Sequence, residues 1–271
     1  MPTGLFLVFY QRLNPRLKSI YRLHFDMTRL FCDFPLVVGT NIDLPKETSR
    51  HIHVLRLSPG NEIVLFNGTG GEYPARITAL DKTKASVNIL SHDRREVELP
   101  YKITLAQALP EAGKMDWIIE KAVELGASAI QPLAARRSVV RLNAERAEKR
   151  LARWLTIVTA ASEQCGRNTL LQIGEPLGFN AFIENSGEPL RVMFTPRASE
   201  TLATWAAKQA PQSITIMIGP EGGFSPEEEE LAIQNGVIPL SMGSRILRTE
   251  TAGVAAIVAI NALWDKDHES S

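Results

Sequence analysis

A largely apolar run, Ile214–Ile218, passes directly into a glycine-rich segment, Gly219–Pro226. Apolar runs bounded by turn residues are typical of buried strands in parallel sheets. Glycine permits backbone conformations and close approaches that a side chain would block. Ligands of open α/β sheets bind beyond the carboxyl ends of the strands, so this loop is a candidate binding loop. A tight strand-to-helix connection without a ligand is the alternative interpretation.

A helix is predicted to begin immediately after this loop. Ser225 can cap the helix, Pro226 occupies its first position, and Glu228 completes a capping box with Ser225. The acidic run Glu227–Glu230 then lies at the positive end of the helix dipole. This structural role is favoured over a catalytic role for the run.

A second segment of chemical interest follows a short predicted strand, Val237–Leu240. It places Arg245, Arg248 and Glu250 between that strand and a strongly apolar helix, Ala252–Trp264. Because this helix is apolar on nearly all sides, we expect its own core to bury one face and a second subunit to bury another.

The chain after Pro100 alternates between strand and helix patterns, which predicts an α/β domain with a parallel sheet. Further strands are predicted at Ile103–Ala108, Ala129–Leu133 and Arg191–Phe194. Helical spacing of apolar residues predicts helices over Met115–Leu125 and from a cap at Asn143 to about Gln164.

Residues 27–99 carry a mostly strand-like pattern. Strands are predicted at Asn61–Phe66 and Ala85–Leu90, with a glycine-rich connection between them, and a short helix at Pro45–Leu55. Many short strands with turn signals favour a small barrel, and Pro100 is the predicted boundary.

The first 26 residues are basic, since Arg12, Arg16, Lys18 and Arg22 all precede the first acidic residue, Asp26. A secretory signal fits poorly because the basic residues follow the short apolar stretch. An organellar transit peptide fits the charge bias better. We favour an extension upstream of a functional start at Met27, and expect residues 1–26 to be poorly ordered.

The composition restricts the partners and the compartment. Lysine and arginine number 30, as do aspartate and glutamate, so any surface for nucleic acid is a local patch. Cys32 and Cys165 lack metal-ligand spacing and are expected to be reduced thiols of a cytoplasmic protein. His51 and His53 have no further ligand nearby, so we expect no metal. No apolar run is long enough to span a bilayer.

Ile218–Phe224 together with Gly243–Ala252 resembles the RsmE family of 16S ribosomal RNA uracil-N3 methyltransferases, a family of the SPOUT superfamily. The resemblance covers the chain from about Met27 to Trp264, which agrees with a start at Met27. Shorter agreeing segments are Arg50-His51, Val54–Arg56, Gly70–Tyr73, Lys114–Asp116, Lys121–Gly126, Arg137-Ser138 and Glu163–Arg167.

The resemblance implies a SPOUT-type methyltransferase domain at 100–271 with a deep trefoil knot, preceded by a PUA-like β-barrel at 27–99 that helps bind RNA. It also implies a homodimer with each active site at the interface. The implied methyl donor is S-adenosylmethionine, bound by loops that end three strands. The residues of these loops are Thr195, Gly219, Pro220, Glu221, Gly222, Gly223, Leu240, Met242, Gly243, Ile246, Leu247 and Thr251.

Reaction at N3 requires the uracil to lose a proton, because the protonated nitrogen is a weak nucleophile. Cations near the uracil oxygens would stabilise the anion. The candidates are Arg245 or Arg248, with Arg137 or Arg167. Glu163 or Glu250 is the candidate proton acceptor, if a base is needed. Phosphate binding or a surface ion pair is the alternative for each arginine, and a carboxylate at a helix N-terminus is the favoured alternative for Glu250.

The uridine must leave its stack to present N3. Arg50, Arg56 and Arg136 are candidates for phosphate contacts that position the RNA. The resemblance implies a uridine in the decoding region of the small ribosomal subunit. Two alternatives stay open: a SPOUT methyltransferase acting on another RNA position, and a PUA-type RNA-binding or ribosome-assembly factor without catalysis.

Overall fold

The computed structural model describes residues 27–111, 113–138, 144–185 and 190–264. The expectations for residues 1–26 and for the Asn143 cap lie outside these residues. The described chain divides into two compact units. The first unit runs to Glu96 and also includes Gly166–Thr169, and the second consists of Val97–Cys165 and the chain from Leu170 onward.

The first unit contains one mixed sheet of five strands, in the order β1-β3-β4-β5-β2. Its β1 pairs with β3 in parallel, and the other pairs are antiparallel. The elements are β1 (Arg29–Phe31), β2 (Asn41–Asp43), α1 (Lys46–Val54), β3 (Glu62–Phe66), β4 (Tyr73–Leu80) and β5 (Ala85–Ile89). Ile52 of α1 packs with Ile63, Ile77 and Val87 in the core of this unit.

Strand β4 was not predicted, and it lies between the two strands that were. Pro74 near its start lacks an N–H group, and a proline argues against a central strand. The glycine-rich segment Gly68–Gly71 therefore connects β3 to β4, not β3 to β5. Within the described residues, β1 and β2 are the two edges of the sheet, so strand pairing does not close it into a barrel.

A buried ionic cluster holds Gly166–Thr169 within the first unit. Glu72 is almost fully buried and accepts hydrogen bonds from Arg29 and from Nη1 of Arg95, the latter at 3.1 Å. Arg95 Nη1 also donates to the carbonyl of Gly166 at 3.1 Å. Since buried charges persist only when they are paired, this cluster fixes the four residues that follow Cys165.

The second unit contains a seven-stranded parallel sheet, which confirms the predicted α/β class. The order is β12-β10-β11-β6-β7-β8, with β9 also paired to β7. The strands are β6 (Ile103–Ala108), β7 (Ala129–Ala134), β8 (Gln172–Ile173), β9 (Leu177–Gly178), β10 (Arg191–Phe194), β11 (Ile214–Ile218) and β12 (Ile238–Leu240). The helices are α2 (Lys114–Glu124), α3 (Ala144–Cys165), α4 (Phe179–Asn185), α5 (Leu202–Ala206), α6 (Pro226–Gln234) and α7 (Thr249–Trp264).

Helices cover both faces of this sheet. Successive side chains of a strand point to opposite faces, so neighbouring residues of one strand belong to different core clusters. Ile216 belongs to the core cluster that includes buried residues of α2, α3, α5 and α7. Its neighbour Met217 belongs to the cluster that includes α4 and α6. This double coverage explains why the run Ile214–Ile218 is buried along its whole length.

The start of α6 is as predicted. Ser225 Oγ accepts from the Glu228 amide, and the Glu228 side chain accepts from the Ser225 amide, so the capping box is complete. The start of α7 differs, because the helix begins at Thr249 and not at Ala252. Glu250 therefore lies in the first helical turn, in agreement with its helix-dipole interpretation.

Candidate functional site

A cavity of about 540 Å³ opens at the carboxyl ends of β10 and β11 and beside the start of α7. Three loops, the glycine loop Gly219–Gly223 among them, form its walls, together with one side chain each from α2 and the loop after β7. Its lining is Lys114, Arg137, Phe194, Thr195, Pro196, Arg197, Ile218, Gly219, Pro220, Glu221, Gly222, Gly223, Phe224, Glu229, Ile246, Leu247, Arg248, Thr249 and Ala252.

The glycine loop folds back tightly on itself. A Cβ atom on Gly219 would lie 2.9 Å from the Phe224 amide nitrogen, a distance that real side chains do not adopt. Gly223 has a φ of +66°, in the left-handed region that favours glycine. The loop therefore packs against its own backbone, and its residues, Glu221 among them, line the cavity.

Arg137 donates hydrogen bonds to this loop. Its Nη1 donates to the carbonyl of Gly222 at 2.8 Å and to that of Phe224 at 3.4 Å. The neighbouring Arg136 pairs its exposed guanidinium with Glu227 at 3.1 Å, and its amide donates to Glu228 at 2.7 Å. The predicted catalytic cation Arg137 thus has a structural partner, the loop itself.

Lys114, which lines the cavity, lies close to two acidic side chains. Its Nζ donates to Glu221 Oε1 at 2.7 Å and lies 3.8 Å from Glu250 Oε2. The hydrogen bond to Glu221 is the main reason that the pKa of Lys114 is raised. Burial pushes the pKa of Glu221 upward, but the hydrogen bonds from Lys114 and from the Glu111 amide outweigh burial, and the pKa is lowered overall.

A second ion pair lines another part of the cavity. Arg197 Nη2 lies 2.6 Å from Glu229 Oε1, and this pair raises the pKa of Arg197. Thr195 Oγ1 also donates to Glu229 at 3.3 Å. Arg197 and Glu229 are therefore neutralised by each other.

Arg248 differs from these cations. Arg248 lines the cavity, and its side chain has no hydrogen bond or ion pair with any other described residue. Ile246 lines the cavity beside it with 86% of its surface exposed. A ligand entering the cavity meets an unpaired cation and an uncovered aliphatic side chain.

A hydrogen-bond chain runs behind the glycine loop. Gln107 Nε2 donates to Thr249 Oγ1 at 2.9 Å, and Thr249 Oγ1 donates to the Gly219 carbonyl at 2.6 Å. The chain links the centre of the sheet, the first residue of α7 and the first residue of the loop.

The structure brings many of the predicted site residues together at this cavity. They are Arg137, Thr195, Gly219, Pro220, Glu221, Gly222, Gly223, Ile246, Leu247 and Arg248. Leu240 is fully buried in the core, and Met242, Gly243, Arg245 and Thr251 are absent from the lining. Glu250 lies beside the lining, next to Lys114.

Other predicted residues lie elsewhere. Glu163 is on α3, and Arg167 belongs to the first unit, where it is buried. Arg50 and Arg56 are exposed in the first unit. Sequence reasoning did not assign Lys114, Arg197 or Glu229 to the site, although Lys114 stands in a segment shared with the RsmE family. Arg197 is a basic residue close in sequence to the predicted loop residue Thr195, and this proximity could have identified it as a site residue.

No group of three or more His, Cys, Asp or Glu residues in the described part of the chain could hold a metal ion. No helix among those described is long and apolar enough to cross a membrane.

Comparison with known proteins agrees with this architecture. A family model described as an RNA methyltransferase domain matches residues 97–261, and one described as an RNA methyltransferase PUA domain matches residues 44–90. Ribosomal RNA small subunit methyltransferase E of Synechocystis sp. is 36% identical over 216 residues, which are 78% of this chain and 69% of that protein. The Bacillus subtilis protein of the same name is 31% identical over 80% of this chain and 87% of its own.

Two solved structures are similar to the whole described fold. Ribosomal RNA small subunit methyltransferase E from Neisseria gonorrhoeae, bound to S-adenosylmethionine, is 38% identical with a TM-score of 0.82, covering 88% of this chain and 98% of that one. A Legionella pneumophila structure with bound S-adenosylmethionine is 35% identical with a TM-score of 0.83, covering 87% and 97%. The chain therefore belongs to the ribosomal RNA small subunit methyltransferase E family of RNA methyltransferases.

Proposed function

We propose that this protein transfers a methyl group from S-adenosylmethionine to N3 of a specific uridine in the decoding region of 16S ribosomal RNA, in the cytoplasm. One observation carries the proposal: a glycine-loop cavity with an unpaired arginine, Arg248, in a chain related to two structures that contain S-adenosylmethionine. The family membership supports methylation of ribosomal RNA, and the choice of uridine N3 rests on the resemblance of the motifs.

The cavity suits S-adenosylmethionine in size and in kind. About 540 Å³ lies within the usual range of roughly 300–1,000 Å³ for small-molecule sites. The loop Gly219–Gly223 lines the cavity, and a Cβ on Gly223 would meet no atom within 4 Å, so the backbone there is open to a ligand. Ile246 and Leu247 supply apolar contact, and Thr195 supplies a polar group.

The donor supplies an electrophilic sulfonium methyl group, so the protein has to align the acceptor and stabilise its anion. Among the lining cations, Lys114, Arg137 and Arg197 have partners in the protein. Arg248 is therefore the residue we assign to the uracil oxygens. Arg245 and Arg167 do not line the cavity and take roles in RNA binding or in structure.

The proton of N3 needs an acceptor. Glu250 Oε2 is buried, accepts no hydrogen bond from the described residues, and lies near the cavity. Glu163, the other candidate, is on α3 and does not line the cavity. We therefore assign the acceptor role to Glu250.

We further propose that Arg50, Arg56 and Arg136 contact RNA phosphates. All three side chains are exposed, as phosphate-binding residues must be. Residues 27–99 would then be the PUA-like RNA-binding domain, and residues 100–271 the methyltransferase domain.

A homodimer formed through α7 is also part of the proposal. One face of α7 is apolar and only partly covered by the described residues: Val254 and Ala255 are half-buried, and Val258 is 45% exposed. The trefoil knot is supported by the segment after β10, where Thr195 donates to the Leu240 carbonyl and Leu202 to that of Ser241. The carboxyl-terminal segment thus runs alongside a loop from an earlier strand.

The test is methyl transfer from labelled S-adenosylmethionine to small ribosomal subunits purified from a strain lacking this gene, followed by identification of the labelled nucleoside. Label in 3-methyluridine supports the proposal. Label in another nucleoside keeps the methyltransferase and overturns the acceptor. Donor binding without label on subunits or on free 16S RNA would favour a methyltransferase that acts on another RNA, and absence of donor binding would favour the assembly-factor alternative. Subunits from the parent strain, already methylated, are the matched control.

A further inference from the structure

The buried side chain of Gln107 has no part in the mechanism proposed above, although it lies directly behind the glycine loop. Gln107 is fully buried on β6 and pairs in register with Ile218, the residue before Gly219. Its Nε2 donates to the Ala108 carbonyl and to Thr249 Oγ1, both at 2.9 Å. Its Oε1 has no hydrogen-bond partner among the described residues.

The hydrogen bonds of this chain can run in one direction only. The Ala108 carbonyl can only accept, so the amide nitrogen of Gln107 and not its oxygen must face it. The same nitrogen then donates to Thr249 Oγ1, which leaves the single hydroxyl proton of Thr249 for the Gly219 carbonyl. The chain is therefore Gln107 to Thr249 to Gly219.

Gly219 is held from both sides by this arrangement. Its Cα packs against Gly223 and Phe224 so closely that a Cβ would not fit. Its carbonyl is held by Thr249, the first residue of α7. The hydroxyl of Thr249 therefore links α7 to the glycine loop.

We propose that Gln107 and Thr249 are positioning residues that fix the Gly219 carbonyl, and with it the glycine loop, in the orientation that binds the methyl donor. The inference rests on the proposed function, because it assumes that S-adenosylmethionine occupies the cavity. A loop held in its binding conformation does not lose conformational freedom when the ligand arrives, so affinity is gained.

Thr249→Val removes the hydroxyl and nearly preserves the side-chain shape. We expect the dissociation constant for S-adenosylmethionine, measured by calorimetry, to rise about tenfold, the lower end of the effect that loss of a supporting hydrogen bond has at metal sites. Thr249→Ser, which keeps the hydroxyl, should stay within about twofold of the wild type. Thr215→Val is the matched control, because Thr215 is also fully buried but its hydroxyl has no partner among the described residues. It should leave donor affinity unchanged.

Gln107→Glu tests the direction of the chain at a residue that does not line the cavity. A protonated carboxyl group can donate to Thr249, whereas a carboxylate can only accept, so the Thr249 hydroxyl would turn away from Gly219. Burial raises the pKa of such a carboxyl group, so the change occurs at a higher pH than for an exposed glutamate. The donor affinity of the variant, divided by that of the wild type at each pH, should fall as pH rises. Lys114, Glu221 and Glu250 lie at the cavity in both proteins, so the ratio removes their shared effect on donor affinity.

Amide hydrogen exchange without donor separates this inference from the proposed function. Exchange over residues 219–225 should be faster in Thr249→Val than in the wild type or in Thr215→Val. If the loop loosens but the wild type does not bind S-adenosylmethionine, the proposed function fails and loop positioning stands. If the wild type binds the donor and Thr249→Val binds it equally well, the inference is overturned. A pH-independent ratio for Gln107→Glu would overturn it too, even if Thr249→Val did not fold.

Discussion

Arg248 and Lys114 show how the surroundings of a basic side chain decide its role at the cavity. Both line the same cavity, but Lys114 is bound to Glu221 whereas Arg248 has no partner among the described residues. A paired cation stabilises the wall of the cavity, and an unpaired one is available to a ligand. The two residues therefore lead to different predictions.

Arg248→Ala should reduce the rate of methyl transfer at saturating donor by at least about 100-fold, as loss of one anion-stabilising donor does in other enzymes. The dissociation constant for S-adenosylmethionine should change by less than about threefold. Single-turnover kinetics and calorimetry measure the two quantities. Arg245→Ala, which removes the same group outside the cavity lining, should have the smaller effect on rate. An equal effect of both variants, or an unchanged rate, contradicts the assignment.

The Lys114–Glu221 pair should make stability depend on pH at both extremes. The pKa of Glu221 is lowered, so its contribution is complete above 4.5 and is lost as pH falls through the lowered value. The pKa of Lys114 is raised, so its contribution is complete below 10.5 and is lost as pH rises through the raised value. A double-mutant cycle of Lys114→Met and Glu221→Gln, followed by urea unfolding, should give a coupling energy that is complete between these limits and is lost as pH passes the two shifted pKa values. A coupling that is constant with pH would be inconsistent with the pair.

Helix α1 illustrates how one element can combine stability and binding. It ends with two C-terminal hydrogen bonds, Arg56 N to His53 O at 3.0 Å and Leu57 N to Ile52 O at 3.2 Å. This pattern places Arg56 at the position usually taken by glycine, and Arg56 has a φ of 56°. A side chain in this conformation costs roughly 1–2 kcal/mol, so an arginine here weakens the end of the helix.

Arg56→Gly should therefore raise the free energy of unfolding of the first unit by about 0.5–1 kcal/mol, after the greater freedom of glycine in the unfolded chain is included. Arg50→Gly, in the same helix, should lower it by about 1 kcal/mol. Both should weaken RNA binding and flatten its salt dependence, because each removes a cation. Urea unfolding and salt titrations of binding test this. A loss of stability in both variants would show that Arg56 is not strained.

At the scale of the whole molecule, one face of α7 is only partly covered by the part of the chain that the structure describes. Thr251, Val254, Ala255, Val258 and Ala262 share this face at helical spacing, and all are partly or fully exposed. An apolar helix face gains stability only when another surface covers it. A second copy of the chain is the proposed cover.

Val258→Glu should convert the dimer to a monomer, because it places a charge where apolar surfaces meet. Sedimentation equilibrium measures the change. Ile233→Glu on α6, where Ile233 is 48% exposed, is the matched control and should leave the mass unchanged. A monomeric wild type, or a Val258→Glu variant that stays dimeric, contradicts the proposed interface. Methyl transfer should fall with the dimer if each active site lies at the interface.

The sequence by itself determined the local features. The capping box of α6, the parallel strands β6, β7, β10 and β11, and the glycine loop after β11 follow from neighbouring residues, because turn chemistry, capping and hydrophobic spacing act over a few positions. Motif resemblance pointed to the family, and ten of the predicted site residues line one cavity. Two elements were not predicted correctly. The start of α7 was missed because Thr249 bonds to a loop that is distant in sequence, and strand β4 was missed because Pro74 argues against a central strand.

Only the tertiary structure decided which polar groups meet. Gln107 and Thr249 are 142 positions apart, and Lys114 and Glu221 are 107 apart, so no periodic pattern links either pair. The same holds for Gly166–Thr169, which belong to the first unit although the chain on both sides of them belongs to the second. Parallel strands bring distant segments to one edge of the sheet, and their order decides which side chains become partners and which, like Arg248, are left for a ligand.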